Sequence, residues 1–263
     1  MMIRMGGGAR QLRRGRTVTP AAPPSPVVPP RYWGWYGDSH TAGREDEVTA
    51  VNPRTIFRTI WEASTTPAPL YVDTSTSSGV SGRSLAGTLT YCIGRSANFA
   101  GTPWIHMQES GDQNNDGQRT ASEWGDTFQQ GWIDVNTTYP GCFKTYETAH
   151  SFSPARKAQQ YRNWDSYNTE LRARVVTLAG LGHTVTLIET AYYIDLMIAS
   201  LGYDTVCFPD TDPDAYHFQG IGNFGVALAM FKALNYDVTA LNHSGINLNS
   251  THKSTVVGIV AGN

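Results

Sequence analysis

The stretch WYGDSHTAG, from Trp35 to Gly43, ends an aromatic run with Gly37, Asp38, Ser39 and His40 in succession. The residues leading into it, RYWGWYG, read as a short buried strand. Four small or polar residues at the end of such a strand add nothing to a core. They turn the chain sharply, or they present a side chain to a ligand at the strand's carboxyl end, where ligands gather in open α/β sheets. A serine in that place has an accessible hydroxyl backed by the N–H groups of the following turn, and it needs a base to become a nucleophile.

Outward from this stretch the pattern alternates. PRTIFRTIWEA (Pro53 to Ala63) carries Ile56, Ile60 and Trp61 at helical spacing, with Pro53 suited to a first turn. APLYVDTS reads as a second strand, SLAGTLTYCIG (Ser84 to Gly94) as a helix, and TPWIHMQ (Thr102 to Gln108) as a third strand. Thr120 and Glu123 match a capping box that opens a helix through EWGDTFQQGWIDV. CFKTYETA (Cys142 to Ala149) is the fourth strand. A helix follows, with Ser153 and Pro154 as its start signal and Tyr161, Trp164, Leu171, Val175 and Leu178 on one stripe. HTVTLIET (His183 to Thr190) is the fifth strand, YIDLMIASLG a short helix, and GNFGVALAMFKALNY (residues 222 to 236) the last helix. Strands alternating with helices predict a mainly parallel five-stranded sheet covered on both faces.

Composition narrows the function classes. The 263 residues are 40% hydrophobic and 16% charged with a net charge of −2, enough to bury a full core. That charge favours neither nucleic acid nor an anionic membrane. No run of about 18 apolar residues predicts a membrane span. Cys92, Cys142 and Cys207 are odd in number and widely spaced, which predicts buried thiols rather than a disulfide framework or a zinc site.

The chain divides into three parts. Residues 1–30 hold Arg4, Arg10, Arg13, Arg14 and Arg16, then PAAPPSPVVPP with six prolines. They read as a disordered basic arm and a stiff spacer, whose functional role would be tethering to a larger assembly. No apolar core of signal-peptide length follows the charges, so no secretory signal is expected, and the setting stays open, cytoplasm and virion among the options. Residues 31–238 form the α/β domain. The tail from residue 239 to 263 shows no helical period and is expected to be irregular, adding edge strands or mediating assembly.

Of the seven histidines, only His217 has an acidic residue placed to orient it in a local motif: DAYH, Asp214 to His217. A D-x-x-H turn brings the carboxylate to one imidazole nitrogen and leaves the other for a nucleophile. His106 is expected in the core, His183 in a structural role, and His40 in a loop.

GDSHTAG with DAYH far downstream, before a helix, resembles the SGNH or GDSL-type hydrolases: esterases, lipases and deacetylases. The resemblance covers roughly residues 32 to 236, and the combination of blocks carries it. It implies a three-layer α/β/α sandwich, flavodoxin-like, with Ser39 as nucleophile, His217 as base and Asp214 as its orienting carboxylate. SSGVSGRSLAG matches the family's glycine block, which implies Gly82 as a backbone oxyanion donor beside the N–H of Ser39. The third block departs from the usual G-x-N-D. In QESGDQNNDG (residues 108 to 117) the amide donor is Gln113, Asn114 or Gln108, and the three stay open. WIHMQES also resembles a stretch of sialate-acetylesterase-like carbohydrate esterases, without its glycine. The implied activity is hydrolysis of small acyl esters, acetyl on carbohydrate among them, through an acyl-enzyme and with no metal or organic cofactor. The competing expectation is an inactive module of the same fold that binds glycan or builds a virion or cell-surface assembly.

Overall fold

The computed structural model describes residues 25–26, 32–37, 52–64, 71–72, 78–79, 84–96, 104–108, 120–150, 164–208 and 217–263. Its strands are β1 (Tyr32–Gly37), β2 (Tyr71–Val72), β3 (Ser78–Gly79), β4 (Trp104–Gln108), β5 (Phe143–Glu147) and β6 (Thr186–Ile188). Its helices are α1 (Pro53–Ser64), α2 (Leu85–Ser96), α3 (Ala121–Thr138), α4 (Trp164–Gly180), α5 (Thr190–Leu201), α6 (Tyr203–Val206), α7 (Gly220–Ala233) and α8 (Ser250–Gly262).

All strand pairings are parallel, in the order β2-β1-β4-β5-β6. β2 falls in the expected second strand, and β3, in the SSGVSG stretch beyond it, is a sixth strand that was not expected. β2 pairs with the start of β1 and β3 with its end, where Gly37 meets Gly79. Side chains alternate across the sheet, so each strand feeds two cores. Trp35, Trp104 and Ile188 enter one core with α1, α5, α7 and α8. Tyr36, Ile105, Met107 and Tyr146 enter the other with α2, α3 and α4. The three-layer sandwich expected from the alternation follows.

Local signals start the helices where the sequence placed them. Asn52 Oδ1 accepts the Thr55 N–H at 2.8 Å, ahead of Pro53 in the first turn of α1. Ser84 Oγ accepts the Gly87 N–H at 3.1 Å at the start of α2. Thr120 and Glu123 form the reciprocal capping box of α3. Ser153, Pro154 and Tyr161 lie outside the described residues, and α4 is described from Trp164 onward.

The tail corrects an expectation: residues 250–262 are helical. Asn249 caps α8 by accepting the His252 N–H at 3.0 Å. The reason lies in α7, which is buried all round. Such a helix needs a cover on its outer side. α8 packs on α7 and buries Val256 and Val260, four residues apart. Only two of its side chains are fully buried, so no apolar stripe announces it.

Candidate active site

In this strand order the chain leaves β1 toward β2 on one side and later returns to β4 on the other. The gap between the carboxyl ends of β1 and β4 is therefore the topological switch point, where open parallel sheets bind their ligands. Two residues sit in register there: Gly37, the last of β1, and Gln108, the last of β4. Ser39 follows Gly37 by two positions. Gln108 is 3% exposed, on the sheet face that carries Trp104 and His106.

Ser39, Gly82, Gln113, Asn114 and Asp214 lie outside the described residues, while Gln108 and His217 lie within them. His217 stands just ahead of α7, half-buried. Its carbonyl accepts the Phe208 N–H at 3.1 Å, and the Gln219 N–H donates to Val206 O at 2.9 Å. An antiparallel bridge pairs Cys207 with Phe218 between them. The Phe218 ring lies 6.2 Å from that of His150, three residues beyond the end of β5. That contact brings the His217 segment to the carboxyl edge of the sheet, the edge that holds Gln108.

The floor beneath this edge is polar. Trp104 Nε1 donates to Thr145 Oγ1 at 2.8 Å. The same Thr145 hydroxyl lies 2.8 Å from His106 Nδ1. The other ring nitrogen, Nε2, faces Glu147 Oε1 at 2.9 Å. The other carboxylate oxygen of Glu147 accepts from Thr190 Oγ1 at 3.1 Å. His106, Glu147, Thr145 and Thr190 are all buried, and the His106 ring meets Trp35 edge-on at 4.3 Å. Buried polar groups are tolerated when they satisfy one another, and a network of this kind fixes relative strand positions. His106 is thus in the core as expected, but with a carboxylate partner.

The sequence reading missed that partner and a second one: His150 Nε2 lies 3.0 Å from Asp195 Oδ1. Both carboxylates come from distant parts of the chain, so no local motif announces either pair. The three cysteines are free and buried, as expected. Among the described residues no three His, Cys, Asp or Glu side chains stand together as a metal set, and no helix is long and apolar enough to cross a membrane.

No protein-family model and no curated protein matches the sequence. Solved structures do. An α/β hydrolase, LAE5, from the metagenome of Lake Arreo, Spain, superposes with TM-score 0.61 at 14% identity, over 80% of this chain and 97% of that one. The Axe2 acetylxylan esterase of Geobacillus stearothermophilus gives 0.58 at 12% identity, over 81% of this chain and 97% of that one. A member of the lipolytic G-D-S-L family from Veillonella parvula gives 0.53 at 17% identity, over 76% and 96%. These likenesses span most of both chains. With Gly37, where the GDS block begins, ending β1 at the switch point, the chain has the fold of the SGNH/GDSL-type hydrolases.

Proposed function

We propose that the protein is a serine esterase acting on small acyl esters, acetyl groups on carbohydrate among them. The observation that carries this reading is the register of Gly37 with Gln108 at the switch point. It puts the start of the GDS block beside a buried amide, on the sheet edge that also receives the His217 segment. The acetylxylan esterase and the family 3 carbohydrate esterase of Clostridium thermocellum among the structural neighbours support the choice of substrate class.

In this reading Ser39 Oγ attacks the ester carbonyl as His217 takes its proton, and Asp214 orients the imidazole and stabilises its protonated form. The oxyanion of the tetrahedral intermediate accepts from the N–H groups of Ser39 and Gly82 and from one side-chain amide. Gln108 is the best placed of the three candidates, because a strand fixes its backbone opposite Gly37, whereas Gln113 and Asn114 stand beyond the strand. His217 returns the proton to the leaving alcohol, and the acyl-enzyme is hydrolysed by water that His217 deprotonates.

The test is release of p-nitrophenol from acetyl, butyryl and longer esters, together with labelling by a fluorophosphonate probe. Ser39→Ala should abolish both while the fold persists. Gln108→Ala should lower kcat by about 10²–10³, the usual cost of an oxyanion donor, with Gln113→Ala and Asn114→Ala near wild type. Absence of turnover and of labelling in the wild type would refute the reading. Glycan capture by that same inactive protein would then favour a binding module.

A further inference from the structure

The segment that follows β5 is held more tightly than a connecting loop requires. Thr148, Ala149 and His150 are all buried. The Thr148 N–H donates to Ile188 O at 2.9 Å, and the Ala191 N–H donates to Thr148 Oγ1 at 3.0 Å. The buried Asn168 amide clamps Ala149 on both sides, accepting from its N–H at 3.1 Å and donating to its carbonyl at 2.7 Å. β6, α4 and α5 together fix this backbone.

What the platform presents is His150. Its side chain is 6% exposed, yet Nε2 reaches Asp195 Oδ1 at 3.0 Å, on a carboxylate that is 65% exposed on the second turn of α5. Packing against Phe218 alone leaves the imidazole plane loosely set, because the terminal torsion of histidine is broad. The bond to Asp195 removes that freedom. Phe218 directly follows His217, and the backbone on both sides of that pair is bonded to residues 206–208.

We propose that His150, oriented by Asp195, is a positioning residue for His217. It braces Phe218, and so holds the His217 segment at a fixed height over the carboxyl edge. The proposal rests on the esterase reading for what His217 does, but the bracing itself is independent of it. Displacement of a catalytic group by about 1 Å costs up to about 10²-fold in rate, so modest loosening of this brace is visible in kcat.

The experiment uses the full chain with three variants. His150→Phe keeps a ring against Phe218 and removes the N–H. Asp195→Ala removes the acceptor from an exposed site, where loss of folding is not expected. Asp195→Asn keeps an acceptor oxygen and serves as the conservative rescue. Two readouts are taken: steady-state hydrolysis of p-nitrophenyl acetate, and hydrogen exchange at the amides of Phe208 and Gln219, which bond across the His217 segment. His150→Phe and Asp195→Ala should lower kcat about tenfold with KM within about twofold. They should speed exchange at Phe208 and Gln219 about tenfold, with the amides of α3 unchanged. Asp195→Asn should restore both. Unchanged exchange at Phe208 and Gln219, or faster exchange everywhere with kcat per folded molecule intact, would overturn the proposal. A wild type that releases no p-nitrophenol would sink the esterase reading instead, and the exchange at Phe208 and Gln219 would still decide the brace.

Discussion

Gly222→Ala, in the first turn of α7, should destabilise the protein and disable the site together. A Cβ at this position would fall against the carbonyl oxygen of Val206 and within 2.8 Å of Phe218 Cβ. The Val206 oxygen is backbone and already accepts the Gln219 N–H at 2.9 Å, so it has no rotamer by which to withdraw. Alanine in a helix is favoured over glycine by at most about 1 kcal/mol, and overpacking a tight contact costs about 1–3 kcal/mol. With an immobile blocking atom the upper figure applies, leaving a net loss of about 2 kcal/mol. In a chain of this size that lowers Tm by about 4–8 °C. Gly258 in α8 has open space where its Cβ would go. Gly258→Ala should therefore gain up to about 1 kcal/mol and raise Tm by about 2–4 °C. The assay is a pair of urea and thermal melts beside wild type, with esterase turnover on the same samples. Activity should fall in Gly222→Ala, since Phe218 and with it His217 must move, and should persist in Gly258→Ala. A Gly222→Ala protein that melts at or above wild type would refute the reasoning, because the contact with Val206 would then not exist.

Two further substitutions or treatments probe the interior. Glu147→Gln places an amide where the carboxylate accepts from the Thr190 hydroxyl and faces His106 Nε2; leaving a buried polar group mismatched there should cost about 1–3 kcal/mol, read as a lowered urea midpoint at constant m. A loss under about 1 kcal/mol would mean that the carboxylate is not a partner in the network. Burial pushes the Cys142 thiol up to about 11, with nearby Lys144 opposing that shift. Only the thiolate reacts, so at pH 8 about one thiol in a thousand is competent, and a disulfide reagent should label Cys142 in urea but not in the native protein. Native labelling should rise as the pH approaches 11, and rapid native labelling at pH 8 would contradict the burial.

The parts of this molecule that were legible in the sequence are those whose physical cause is local. A strand needs a few branched or aromatic residues and a helix start needs one cap, so PRTIFRTIWEA and Thr120 with Glu123 declared themselves. The illegible parts are relations between distant segments. Nothing near His106 or His150 names Glu147 or Asp195, because sheet register and helix docking create those pairs. α8 was missed on similar grounds. THKSTVVGIVAG carries no stripe, and the need for a helix there is written in α7, in GIGNFGVALAMFKA, which is apolar on every side and demands a cover. A reading that asked what covers the far side of α7 would have found it.

The same logic separates two kinds of position in the protein. Gly222, Phe218, His150 and Asp195 converge on the few residues that carry His217, so substitutions there move stability and turnover together. Gly258 and Asn249 act on α8, which covers α7 from outside, so their effects should appear in melting and leave kcat alone. The division follows from the topology. Among the described residues, His217 stands outside the strands of the main sheet, on a segment that packs onto the loop after β5 and is hydrogen-bonded to residues 206–208. Gly37 and Gln108, by contrast, end β1 and β4, and the buried contacts of His106 with Thr145 and Glu147 tie β4 to β5 from below. Loosening that network should therefore disturb the β4 side of the site, and loosening His150 the base side. Double variants of Glu147 and His150 should then lose activity multiplicatively, as independent supports do.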